Sequence, residues 1–341
     1  MKILENHSIS NSLKIKSTSK YYIEIDCSNS FDELHQFLIK KDLPVLIIGE
    51  GTNVVLNDFF SGVVIRPLFN NILIQNQLDK MPLSDFHVSV GASVNWHKLV
   101  NHMIENKIFG FENLSLIPGS VGAAPIQNIG AYGQEVSNLI KKVHCYDYKE
   151  GKFVTLSNKD CNFSYRSSSL QNCNLIIFKI DFNINNNKTF NLDYKSLQNY
   201  IVNNNINKKD LNLKKISDIV CTIRNLNLPN PDITPNAGSF FKNAIIKKEE
   251  INTDHYSYDE LIIWKVDDKY VKVGSARLIE LIKDSLDLNT RVMIFKNHSL
   301  VLITNGEATQ KDILDYANHI KNKVLEIFNI SLEIEPTVIT N

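Results

Sequence analysis

Residues 110–136 read GFENLSLIPGSVGAAPIQNIGAYGQEV, and this stretch decides how the rest of the chain is read. Five of the 13 glycines stand in it, Gly110, Gly119, Gly122, Gly130 and Gly133, with Ala123, Ala124 and Ala131 between them. Glycine costs backbone entropy on folding, so such density needs a reason. One reason is a turning backbone that brings bare N–H groups up to an anion. The other is close packing in which only small residues fit. Glu112 and Glu135 are the only charged residues, and the stretch holds no lysine or arginine. A phosphate bound here would therefore be held mainly by backbone amides.

A second glycine loop lies upstream. Pro44 opens the apolar run PVLIIGEGTN, a strand followed by Gly49, Glu50, Gly51, Thr52 and Asn53. A dinucleotide-binding fold needs a third glycine and then a helix at this point. Val54 stands there instead, and VVLNDFFSGVVIRPL continues as strand with a turn near Ser61 and Gly62. The Rossmann reading fails. The loop can still offer amides and the Thr52 hydroxyl to phosphate oxygens.

Around these loops strands alternate with few helices. Strands are expected at 21–25, in HVSVGAS, in KKVHCYDY, through FSYRSSS and in LIIFKIDFNI. Ser30 and Glu33 predict a capping box on a helix with Phe31, Leu34 and Leu38 on one side. Trp96, Leu99, Val100, Met103 and Ile104 give a helix near 95–106 its core face. Residues 211–226 are helical by the same test, and Pro229, Pro231 and Pro235 then mark a domain boundary. Beyond it come strands in LIIWKV and HSLVLIT, a helix near 276–283, and a helix from Thr309, capped with Asp312, to about Phe328. The run NINNNK at 183–188 reads as a solvated loop. The expected class is α+β, with glycine loops converging at a strand edge.

With 341 residues, 43% hydrophobic and 22% charged, the chain has ample core for two or three domains. Its formal net charge of zero speaks against broad binding to nucleic acid or membranes. No apolar run reaches spanning length, and the N-terminus lacks a signal-peptide core. Cys27, Cys145, Cys161, Cys173 and Cys221 form no C-x-x-C pair, which fits a reduced cytoplasm. His97 and His102 are five apart, not the four that would align them on a helix for a metal.

Three polar features stand out. Arg166 follows Phe163-Ser164-Tyr165, Ser239 sits in NAGSFFKN (236–243), and Glu335 precedes Pro336. Taken singly, each is also explained as a surface arginine on a tyrosine, a capped turn and a strand terminus. No G-x-S-x-G elbow or Ser-His-Asp order accompanies Ser239, so a hydrolase is not indicated.

Taken together and in order, GEGTN, IPGSVGAAPIQNIGAYG, FSYR, NAGSFFKN and the terminal Glu-Pro resemble the UDP-N-acetylenolpyruvoylglucosamine reductase family. The likeness runs from about Tyr21 to Pro336, and LDYKSL with Tyr194 resembles the family's type I form. The resemblance implies a two-part FAD-binding unit of the vanillyl-alcohol-oxidase type, 1–70 and 71–228, the second part carrying a tyrosine-loop insertion. A substrate-binding domain, 229–341, follows. It implies non-covalent FAD, NADPH as co-substrate sharing one site with a UDP-sugar, and a cytoplasmic step of peptidoglycan synthesis with no required protein partner. Gly49, Gly51, Thr52, Asn53, Pro118, Gly119, Gly122, Ala123, Gly130 and Ala131 fall at its cofactor positions. Tyr132, Tyr194 and Asn243 fall at its substrate positions. Arg166, Ser239 and Glu335 fall at its catalytic ones, as carboxylate binder, proton donor and polarising partner. The chain departs from the family at Asn227, where a lysine is common, at Arg277, and at Thr337 and Ile339. An oxidase on the same flavin fold and a drifted flavin- or nucleotide-binding protein with little turnover are the competing readings. NAGSFFKN and Glu335 speak against the first; Asn227 and Arg277 are what the second rests on.

Overall fold

Five antiparallel strands make the largest sheet, in the order Lys152–Ser157, Ile140–Asp147, Leu175–Asn183, His87–Gly91 and Ile72–Gln75. The computed structural model describes residues 1–75, 87–184, 189–287 and 289–341. Most of the NINNNK run, 185–188, lies outside them. A four-stranded sheet orders Lys2–Ser8, Thr18–Ile25, Phe59–Pro67 and Val45–Ile47, the last two parallel. The helices are α1 (Phe31–Lys41), α2 (Trp96–Glu105), α3 (Lys195–Asn203), α4 (Leu213–Asn227), α5 (Ser275–Ile282) and α6 (Gln310–Phe328). The class is α+β, as expected.

The chain divides into two compact units. The first comprises residues 1–7, 19–50 and 61–226; the second comprises 8–18, 51–60 and 227–341. In the first, α2 buries Trp96, Leu99, Val100 and Met103 in a core with Val88, Val90 and Phe182. The Trp96 indole N–H donates to the Leu114 carbonyl at 2.9 Å, tying that helix to the glycine stretch. Helices α3 and α4 form a smaller core of Leu197, Ile201, Ile216, Ile219, Val220 and Ile223, with Tyr132 packed on it.

In the second unit α5, α6 and two three-stranded sheets share one core. One is Asn236–Ser239, His298–Thr304 and Val292–Phe295; the other is Ala244–Lys247, Tyr270–Val273 and Ile263–Lys265. Ile313, Ala317, Ile320, Val324 and Phe328 recur every three or four residues along α6 and are fully buried. Two early segments join this core. Leu13 and Val55 pack in it, Thr304 donates to the Leu13 carbonyl at 2.9 Å, and Gln310 donates to the Val55 carbonyl at 2.9 Å.

Three local expectations need correction. Ser30 precedes α1, but its backbone is already helical (φ −88°, ψ −4°) and its hydroxyl caps nothing; it accepts from the Met1 amino group at 3.2 Å. The chain does not turn at Ser61 and Gly62, because the strand Phe59–Pro67 runs straight through them. FSYRSSS is not a strand. It is a tight turn closed by reciprocal amide–carbonyl bonds between Ser164 and Ser167, with Arg166 at φ +51°. By contrast Thr309 and Asp312 cap α6 reciprocally, as predicted.

Candidate active site

Within the first unit the glycine stretch folds back on itself. Gly130–Ala131 pairs with Gln134–Glu135 around Tyr132 (φ +49°) and Gly133 (φ +81°). Two successive positive φ values make a type I′ turn, which favours glycine or asparagine. Tyr132 occupies the first position at a cost in backbone strain, and burial raises its hydroxyl above the ordinary tyrosine value. Its ring meets Tyr194 edge-on, with centroids 5.4 Å apart. Tyr194 stands directly before α3 and is 47% exposed, so the pair has one enclosed ring and one open ring.

Arg166 reaches the same hairpin. Its guanidinium donates to the Gly130 carbonyl at 3.1 Å and lies 5.4 Å from the centre of the Tyr165 ring. Asn128, fully buried, joins the two segments by donating to Glu135 at 2.9 Å and to the Ser164 carbonyl at 3.1 Å. Glu112 is buried too. Burial raises its carboxyl against the amide bonds that lower it, including one from Gly110 at 2.7 Å.

Most of the glycines have a steric reason. A Cβ on Gly122 would lie 2.7 Å from that of Ala92, and one on Gly130 would lie 3.1 Å from the Gln134 carbonyl oxygen. One on Gly49 would run into Ser120 Oγ, so the two glycine loops touch there. Packing thus accounts for residues whose density also suggested an anion nest. Spare donors remain in the same place. Among the described residues, the amides of Gly49, Glu50, Gly119 and Ser120 have no acceptor. Adjacent free amides suit the diphosphate of a flavin nucleotide.

The second unit gathers its own set. Glu335 donates its amide to the Phe240 carbonyl at 2.9 Å, and Phe241 bridges Ile334, so Ser239 and Glu335 stand on neighbouring segments. Thr337 donates to the Asn53 carbonyl at 3.0 Å and pairs in parallel with Val54, which brings Gly51, Thr52 and Asn53 to the same strand. Asn243 accepts from the Ser275 amide at 3.1 Å at the start of α5. Gly238 has φ +71° and open space where a Cβ would be.

The departures have structural sites. Arg277 donates to the Glu260 carbonyl at 2.9 Å and pairs with Glu280 at 3.0 Å. Thr337 and Ile339 carry the strand beside Val54 and Val55. Asn227 ends α4. Sequence reasoning passed over Asn113, Asn128, Asn191 and Arg224. For Asn113 and Asn128, asparagines in an almost uncharged stretch were the available signal. Arg224, on α4, has an enclosed Nε without an acceptor among the described residues, and burial lowers its pKa. The described residues include no cluster of metal-ligating side chains and no helix long and apolar enough to cross a membrane.

Residues 20–157 match the FAD binding domain family, and residues 230–339 match the C-terminal domain family of UDP-N-acetylenolpyruvoylglucosamine reductase. Proteins named UDP-N-acetylenolpyruvoylglucosamine reductase are similar along nearly the whole chain. That of Porphyromonas gingivalis is 33% identical over 95% of each chain, and that of Amoebophilus asiaticus 34% identical over 96% of each. That of Buchnera aphidicola is 36% identical over 95% of this chain and 92% of its own. The crystal structure of the Thermus caldophilus UDP-N-acetylenolpyruvylglucosamine reductase superposes over 99% of this chain and 98% of its own. Its TM-score is 0.65 at 18% identity, a likeness of fold.

Proposed function

Since the chain belongs to the UDP-N-acetylenolpyruvoylglucosamine reductase family, we propose that it reduces the enolpyruvyl ether of UDP-N-acetylglucosamine to UDP-N-acetylmuramate, with NADPH as reductant, in peptidoglycan synthesis. The observation that carries this is a FAD-binding match and a reductase C-terminal match in one chain. FAD, when bound, supplies hydride transfer between NADPH and the carbon–carbon double bond. The amides of Gly49, Glu50, Gly119 and Ser120 would hold its phosphates. No histidine or cysteine lies in either loop, so the binding is non-covalent.

The remaining chemistry belongs to side chains. Hydride addition leaves negative charge beside the substrate carboxylate, as an enolate. Arg166 is the cation assigned to that carboxylate, an electrostatic role that grows as charge develops. Glu335 polarises the same group, and Ser239 delivers the proton that completes the new stereocentre. Tyr132, Tyr194 and Asn243 contact the nucleotide and sugar. Arg224 is a further cation for an anionic ligand in the first unit. The reaction uses soluble nucleotides, and the enzyme is assigned to the cytoplasm.

Half-reactions test these roles. In Ser239→Ala, flavin reduction by NADPH stays near wild type, because no proton from Ser239 enters it. Reoxidation by the enolpyruvyl substrate slows by about 10²–10⁴-fold, the usual general-acid contribution. Ser239→Cys recovers part of the loss. If Ser239→Ala slows reduction by NADPH and leaves reoxidation untouched, Ser239 is a nicotinamide contact instead. A purified protein that neither carries nor takes up FAD overturns the whole reading.

A further inference from the structure

Asn113 is 1% exposed, and its side-chain amide serves two segments far apart in sequence. It donates to the Tyr132 carbonyl at 2.8 Å and to the Asn191 carbonyl at 2.8 Å. Asn191 answers in the opposite direction. Its own side chain donates to the Gly133 carbonyl at 2.8 Å, and its oxygen accepts from the Asp193 amide at 3.3 Å. A Cβ on Gly133 would lie 3.2 Å from the Asn191 amide nitrogen, so the side chain lies flat on the turn. The two asparagines close a latch between the 130–135 hairpin and the segment leading into Tyr194.

We propose that Asn113 and Asn191 are positioning residues that fix the Tyr132–Tyr194 pair for the nucleotide substrate. The inference rests on the reductase reading and deepens it. Tyr132 sits at φ +49°, a conformation that its own side chain does not favour. Something must hold it there. Asn113 and Asn191 bond the carbonyls of both central residues of the turn. The same bonds hold the backbone three residues ahead of Tyr194. A buried amide with both hydrogens satisfied is geometrically strict, because leaving either carbonyl without its partner is costly. Apolar packing on α3 and α4 orients the face of the Tyr132 ring, but it fixes no register. The hydrogen bonds do, and they preset a ligand wall before the ligand arrives.

The experiment uses the full FAD-loaded enzyme and the variants Asn113→Ala, Asn191→Ala, the Tyr132→Ala/Tyr194→Ala double, and that double combined with each asparagine change. Each asparagine variant is expected to keep its FAD and its kcat at saturating substrate, while KM for the UDP-sugar and Kd for UDP rise about 10-fold. Acting through the two tyrosines, the asparagine effects on UDP affinity should vanish in the Tyr132→Ala/Tyr194→Ala background. Their effects on thermal stability, a purely structural readout, should persist there. Unchanged UDP affinity in Asn191→Ala with FAD retained overturns the proposal, and so do losses that simply add to that of the tyrosine double. If Asn113→Ala does not fold, the partly exposed Asn191 decides. Wild type that binds FAD but turns over no enolpyruvyl substrate defeats the reductase reading itself, which separates the two failures.

Discussion

Gly122 in the first unit and Gly238 in the second both stand among small residues in the sequence, yet they are glycine for different reasons. At Gly122 the backbone is ordinary and space is missing, since an added Cβ would lie 2.7 Å from the Cβ of Ala92. At Gly238 space is free and the backbone is unusual, at φ +71° with nothing within 4 Å of the missing Cβ. The first glycine permits two segments to touch; the second permits the irregularity in the strand Asn236–Ser239 just ahead of Ser239. Sequence shows the same letter, and only the neighbours separate the causes. The units repeat this contrast in their carboxylates and their helix caps, so each pair offers a test.

Gly122→Ala should do the most damage. Backbone and a short side chain stand in the way, so the strain cannot be relieved by moving a flexible tip. Overpacking of this kind costs up to about 3 kcal/mol. Thermal unfolding should shift down, and FAD content should fall with it. A variant as stable as wild type would mean that the Ala92 contact has room to give.

Acid comes next. Asp181 in the first unit and Asp312 in the second are both held down to about 2. For Asp181 burial pushes upward, and bonds from His144 at 2.8 Å and Ser89 at 2.6 Å, with the charges of His144 and Lys179, outweigh it. For Asp312 the Thr309 amide contributes most, then the Thr309 hydroxyl and Arg291. A folded value below the unfolded one, about 4, stabilises the protein above pH 4, and the gain is lost as pH falls towards 2. Asp181→Asn should therefore cost about 2 kcal/mol near neutrality. It should also flatten the decline of stability between pH 4 and 2 in urea titrations. An unaltered slope would assign the acid sensitivity to other carboxylates.

Gly238→Ala should be milder than Gly122→Ala. It adds no clash, only the penalty of a left-handed residue, about 1–2 kcal/mol. Chemical denaturation of the two variants side by side checks the ranking, and a reversal would undo the comparison. The smallest effects lie at the helix starts. Thr309→Ala removes a working cap and should cost about 1 kcal/mol. Ser30→Ala removes none, and should change stability by no more than a few tenths of that figure. An equal loss in both would show that the Ser30 bond to the N-terminus matters as much as a cap.

Local chemistry made much of this protein legible in its sequence. The 3.6-residue rhythm of Trp96, Leu99, Val100 and Met103 and of the residues along α6 marked helices because one face had to be buried. Absence of a third glycine and helix after Gly51 ruled out a Rossmann turn, and Val54–Val55 is indeed a strand. The ordered motifs from GEGTN to Glu335 carried the family and its cofactor. Caps and turns were less secure. Ser30 and Thr309 present similar letters, and the difference lies in the φ and ψ of the capping residue, which neighbours far along the chain decide. FSYRSSS has strand-forming residues but closes on itself through Ser164 and Ser167.

Only the tertiary structure decided which distant segments share a core. Residues 8–18 and 51–60 fold with the second unit because Leu13 and Val55 complete its apolar interior and Thr304 and Gln310 bond their carbonyls. Nothing local in those segments announces such partners. The Asn113 latch is of the same kind, since an asparagine's two donors have meaning only when carbonyls 19 and 78 residues away are brought to them. Sequence determines what each residue can do over a few positions; burial and hydrogen bonding across the fold determine what it is left to do.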